Sequence, residues 1–143
     1  EIDKRFDVAT FTANKQSQNI DLHGIPKLSL FVQSEEKGFD LCVALSILSK
    51  DKLKAKQIST GFLRIIGEDA RKRIKREISL QPTYATLQTD EHLRISISCS
   101  SWPSIAINPG TGKYDCGPPS SNCLVITIRF SLEDSKLELA PFF

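Results

Sequence analysis

The chain has 143 residues, 40% hydrophobic and 25% charged, which is one domain's worth of ordinary globular composition. A net charge of +2 is too mild to demand a polyanionic partner, and the longest mainly apolar run, Leu41 to Leu48, is too short to cross a bilayer. Composition therefore excludes a disordered, collagenous or helical membrane-spanning protein.

The first residues, EIDKRFDVAT, mix charges and lack the apolar stretch of a secretory leader, and the chain contains no methionine. A segment excised from a longer protein is the expectation, with the cytoplasm as its location. From Phe6 onward the pattern is short runs of period-two alternation separated by turn residues, the signature of strands. Phe6 to Thr12 alternates weakly and Asn19 to Gly24 clearly. Pro26 to Val32 then sets Leu28, Leu30 and Val32 on one face. Gly38 to Leu48 places Phe39, Leu41, Val43, Leu45 and Ile47 on one face, with Cys42, Ala44 and Ser46 opposite. That second face, small and uncharged, predicts a central strand covered on both sides.

Gln57 to Ile66 is the next strand. Gly67 to Arg76 is the one stretch with helical or irregular character, and Ile78 to Leu87 reads as extended but broken by Pro82. His92 to Cys99 alternates best of all, with Leu93, Ile95, Ile97 and Cys99 facing one way. Ser100 to Asn122 is a long loop dense in Ser, Pro, Gly and Asn. Leu124 to Phe130 and Lys136 to Leu139 close the chain as two further strands. No 3.6-period stripe is long enough for a packing helix, so the expected class is all-β.

Chemistry-bearing residues are sparse. No Gly-x-Ser-x-Gly nucleophile elbow occurs, and only His23 and His92 could act as a base. His23 lies beside a turn and His92 opens a strand, where structural roles are the ordinary expectation. Cys116 and Cys123 are seven apart without a second close pair, a poor zinc pattern, although they could bridge their loop in an oxidising compartment. Cys42 and Cys99 read as small buried apolar residues. Glu35, Glu36 and Asp40 could offer oxygens to calcium, but a solvated acidic turn is the plainer reading. There is no phosphate-binding glycine motif, and no cofactor or metal is expected. The basic run Arg71-Lys72-Arg73-Ile74-Lys75-Arg76 is diluted by Glu68, Asp69 and Glu77 and has no interleaved aromatics, so nucleic acid is not expected. The long loop holds Trp102, Asn108 and Tyr114, which together with Arg71 and Arg73 are the candidates for an interface or a ligand-facing surface.

Three stretches carry a resemblance. They are Ile20 to Val32 (IDLHGIPKLSLFV) followed by Phe39 to Leu45, then Ile58 to Arg64 (ISTGFLR), then His92 to Pro103 (HLRISISCSSWP) running into Asn108-Pro109-Gly110-Thr111-Gly112. With the closing Ser135 to Pro141 (SKLELAP), their order and spacing resemble the C-terminal domain of the X-Pro dipeptidyl-peptidase, cocaine esterase and α-amino-acid ester hydrolase family. Glu91 stands where that family usually has Gly, and Glu35, Glu36 and Asp40 only approximate its acidic pairs, which leaves subfamily and substrate open. The resemblance implies a jelly-roll β-sandwich, galactose-binding-domain-like, with two packed antiparallel sheets. It implies that residues 1–143 form one non-catalytic domain that packs on an α/β-hydrolase catalytic domain of the same parent chain and helps shape its cleft. The triad would lie in that other domain. A free-standing carbohydrate- or ligand-binding module is the alternative, and self-association into a homo-oligomer stays open.

Overall fold

The computed structural model describes residues 4–140. Its strands, in chain order, are β1 (Val8–Thr12), β2 (Ile20–Ser34), β3 (Gly38–Leu48), β4 (Ala55–Ile66), β5 (Ile74–Ser79), β6 (Thr83–Leu87), β7 (His92–Ser98) and β8 (Ile128–Ala140). All pairings are antiparallel. The first sheet has the order β1-β7-β3-β4, and in the second β2 is paired by β5, β6 and β8. The two sheets pack face to face over one core, so the expected β-sandwich is the observed fold.

The core is built from the alternation read in the sequence. Phe39, Leu41, Val43 and Leu45 of β3 meet Leu28, Leu30 and Val32 of β2, with Ile78 and Leu80 closing the side. All of these are buried, Phe39, Leu41 and Val32 completely. Burying a side chain of this size contributes about 1.5–3 kcal/mol each, before the entropy of ordering it is counted.

Three sequence readings change. The runs 19–24 and 26–32 are one continuous strand, β2, despite Pro26. The proline falls where one partner gives way to another: β6 ends its pairing at Gly24 and β5 begins at Lys27, so no ladder bond to either is lost. Gly24 is required there, because a Cβ at this position would lie 2.2 Å from the Ala140 carbonyl oxygen. The runs 124–130 and 136–139 are likewise replaced by one strand, β8, whose register against β2 shifts between Ser29 and Phe31. The stretch 67–76 holds only a 3-10 turn, Glu68–Arg71, before β5 starts at Ile74. Its alternating Arg73, Lys75 and Glu77 against Ile74, Arg76 and Ile78 is a strand pattern that the density of charge conceals.

The sheets are also joined along one edge. Between β5 and β6, Leu80 bridges Gly61 of β4, and the Gln81 amide donates to the Thr60 carbonyl at 2.8 Å. Gly61 permits this approach, since a Cβ there would come within 3.0 Å of the Leu80 side chain. At the opposite edge, β1 meets β8 through side chains, with the Phe11 and Phe130 rings 5.9 Å apart edge to face.

Candidate functional site: the outer face of the first sheet

Directly paired residues point to the same side of a sheet, so the register defines the outer face of the first sheet row by row. One row is Asp40 opposite Arg64. The next is Val8, Ser98, Cys42 and Phe62, followed by Thr10, Ser96, Ala44 and Thr60, then Thr12, Arg94, Ser46 and Gln57. The central positions, Cys42, Ala44, Ser46, Ser96 and Ser98, are all small. The sequence predicts that this face is covered by a further layer. Among the described residues it is covered only at one end, and the rest forms the floor of an open hollow of about 1240 Å³.

The covered end is where the long loop folds back over the sheet. Arg64 donates through Nε and Nη2 to the two carboxylate oxygens of Asp40, at 2.9 and 2.7 Å. The amide nitrogen of Asn108 donates to the same carboxylate at 3.1 Å and to the Ile65 carbonyl at 3.2 Å. Its amide oxygen accepts from the Gly110 N–H at 3.1 Å, and Arg64 also donates to the Ala106 carbonyl. Asp40 is 2% exposed, so this fork-to-fork pair is the loop's buried anchor. Hydrogen bonding to Asp40 pushes the Arg64 guanidinium above its ordinary range and keeps it charged. Arg64 also lies over the Phe62 ring, 5.3 Å from its centre.

Each predicted candidate now has a place. Trp102, half exposed, lines the hollow where the loop leaves β7. Tyr114 is on the other side of Arg64, at a smaller depression of about 480 Å³ shared with Arg76, Asp69 and Cys116. Asn108 is buried, its amide given over to the anchor. Arg71 donates to the Glu35 carbonyl, and Arg73 lies over the Phe31 ring at 4.5 Å. Trp102 and Tyr114 thus line different depressions, and the basic run reaches that of Tyr114 through Arg76. Sequence reading missed the Asp40–Arg64–Asn108 anchor. Its one legible trace is Asp40 itself, a charge on the face that Cys42, Ala44 and Ser46 leave apolar or neutral.

The remaining candidates are held in ordinary contacts. His92 is buried, with Nδ1 3.0 Å from the Ala13 carbonyl, and His23 stacks on Tyr84 at 3.7 Å. Glu35 pairs with Arg129, and among the described residues no three acidic, His or Cys side chains are placed to hold a metal ion. The four cysteines are free. Cys99 lies just beyond β7, which ends at Ser98; the residue is exposed rather than buried as a whole, although burial around its thiol raises it to about 11. Cys42 is half-buried on the floor of the hollow, where burial and then the nearby Asp40 raise its thiol to about 11. At pH 8 it holds about a hundredfold less thiolate than an ordinary thiol. Iodoacetamide labelling followed by peptide mass mapping is therefore expected to modify Cys123 well before Cys42. Equal rates at the two positions would contradict the assigned environment.

Residues 1–136 match the family described as the X-Pro dipeptidyl-peptidase C-terminal non-catalytic domain. The chain belongs to this family. No curated protein sequence matches it significantly. Among solved structures, an aminopeptidase from the marine-sediment Thaumarchaeota archaeon shares the fold at TM-score 0.81 and 17% identity, covering 97% of this chain and 26% of that one. An α-amino-acid ester hydrolase is similar at TM-score 0.79 and 17% identity, covering 96% of this chain and 26% of that one. A CocE/NonD family hydrolase from Staphylococcus aureus follows at TM-score 0.61 and 17% identity, covering 91% and 30% respectively. The chain thus spans about a quarter of the length of the first two enzymes it resembles. The family match agrees with the resemblance read from residues 20–45, 58–64 and 92–112; of the closing motif, Pro141 lies outside the described residues.

Proposed function

We propose that this chain is the non-catalytic C-terminal accessory domain of a serine hydrolase that cleaves peptide or ester bonds, and that it packs on the catalytic portion and helps wall the substrate cleft. The observation that carries this is the match to a non-catalytic domain family over 136 of 143 residues. The chemistry of the chain supports it. A serine nucleophile needs a base within hydrogen-bond reach. Of the two histidines, one is bonded to a backbone carbonyl and the other is stacked on a tyrosine.

The test has two arms. The isolated chain is expected to give no rate above buffer on an aminoacyl-prolyl p-nitroanilide and on p-nitrophenyl acyl esters. The parent enzyme truncated at the start of this domain is expected to lose at least tenfold in kcat/KM or to unfold several degrees lower. Turnover by the isolated chain, or a truncated parent unchanged in both measures, would refute the proposal.

A further inference from the structure

We infer that the smaller depression, lined by Arg76, Arg64, Ile66 and Tyr114, binds a small organic carboxylate, its head held by the two guanidiniums and its apolar body by the remaining walls. This goes beyond the accessory role proposed above and does not depend on it.

Arg76 is a charge set where the fold calls for an apolar residue. In the pairing of β5 with β2 it stands opposite Leu30, between Ile78 opposite Leu28 and Ile74 opposite Val32, so it points to the core side of its strand. Its Nη2 donates to the Asp69 carbonyl at 2.6 Å, while its Nε is buried with no partner among the described residues. The nearest carboxylate, that of Asp69, is bridged to Lys72 at 2.7 Å instead. A guanidinium withdrawn from water in this way is costly unless a counter-charge meets it. Burial accordingly pulls Arg76 below its ordinary range.

The charges around the depression leave one positive unit over. Arg64 is matched by Asp40 and Asp69 by Lys72, so Arg76 is the unmatched member of the lining among the described residues. A second guanidinium faces the same space. Arg64 gives Nε and Nη2 to Asp40, and its Nη1 is uncommitted among the described residues. Guanidinium edges match the planar fork of a carboxylate, and a single surplus charge suits a monoanion better than a doubly charged phosphate.

The other walls indicate what the carboxylate carries. Ile65 and Ile66 supply apolar surface, and Tyr114 stands at the rim 94% exposed, its ring unused in packing the domain. At about 480 Å³ the space falls within the usual range for small-molecule sites and leaves room for more than a bare anion. An inward charge on an edge strand such as β5 also discourages edge-to-edge pairing. That role needs neither a second guanidinium nor a depression in front of the first.

Nuclear magnetic resonance titration of the nitrogen-15-labelled chain at constant ionic strength tests the inference. Sodium benzoate is the probe, benzamide its neutral counterpart, sodium acetate the same head without the body, and sodium chloride the ionic control. The Arg76 Nε–Hε signal is expected to shift saturably with benzoate, half-complete in the millimolar range, and to stay in place with benzamide and chloride. Acetate is expected to bind about tenfold more weakly than benzoate, for want of contact with Ile66 and Tyr114. Read at the Ile66 amide, Arg76→Lys, which keeps the charge and loses the fork, is expected to weaken benzoate about tenfold. Tyr114→Ala is expected to weaken it about threefold with the unfolding temperature within about two degrees, so that loss cannot come from misfolding. Absence of saturation, or equal shifts with benzoate and chloride, would overturn the inference and leave Arg76 as a guard of the edge strand. Binding indifferent to both substitutions would overturn it by placing the anion elsewhere, and acetate binding as tightly as benzoate would overturn the role of the apolar walls. None of these results bears on the accessory role, whose test is the truncated parent.

Discussion

Replacing Arg64 by methionine is expected to cost the domain about 3–5 kcal/mol, the range for removing one member of a buried ion pair. The reason is what the change leaves behind. Asp40 is 2% exposed, and without the guanidinium its carboxylate keeps, among the described residues, the Asn108 amide as its charge-stabilising side-chain donor. The stem of methionine fills much of the same space, so the loss is electrostatic rather than a cavity. Two companions separate the contributions. Asp40→Leu combined with Arg64→Met is expected to recover most of the stability, because replacing both partners of such a pair by apolar groups is often close to neutral. Asn108→Ala removes the link between anchor and loop, with an expected cost of about 1–3 kcal/mol from the hydrogen bonds left unmade. Urea unfolding monitored by circular dichroism measures all three. A loss below 1 kcal/mol for Arg64→Met would place the pair with screened surface bridges instead.

Phe39→Ala is expected to be as damaging, at about 3–5 kcal/mol, through the cavity it opens. Phe39 has no exposed surface and stands between the sheets at the start of β3. Its ring also lies 5.7 Å from the Arg76 guanidinium, whose buried Nε has no hydrogen-bond partner among the described residues. Burial pulls Arg76 below its ordinary range, so the aromatic face is part of what lets the charge rest there. Against a total stability of about 5–15 kcal/mol for a domain of this kind, the variant is marginal. The denaturation midpoint is expected to fall with an unchanged slope, and Val125→Ala, at a 91% exposed position, is expected to shift stability by less than about 0.5 kcal/mol. A Phe39→Ala loss under about 1.5 kcal/mol would mean that the core collapses around the gap.

Strand identity was legible because alternation is a local signal, and the faces assigned to Phe39, Leu41, Val43 and Leu45 are the faces observed. Continuity was not. Whether Pro26 interrupts a strand depends on which neighbours need its missing N–H, and those neighbours lie more than fifty residues away. The run Arg73 to Glu77 hid a strand because its charges stand on a face open to water and dominate the composition. The site was legible only in fragments. The small outer face of β3 was visible, yet a covered face and the floor of a recess have the same residues. Asp40 and Asn108 each drew attention, as a calcium ligand and as a surface contact, while the pairing that explains them spans 24 and 68 residues and has no period to betray it.

The seam at Gly61 and Leu80 gives the sandwich a spine. On that side backbone amides tie one layer to the other, whereas at the Phe11 and Phe130 side the described residues meet edge to face through their rings. The layers part more readily along β1 than along β4, as a book opens away from its binding. Solvent entering during a breathing motion would reach the amides of Val8 to Thr12 long before those beside the spine.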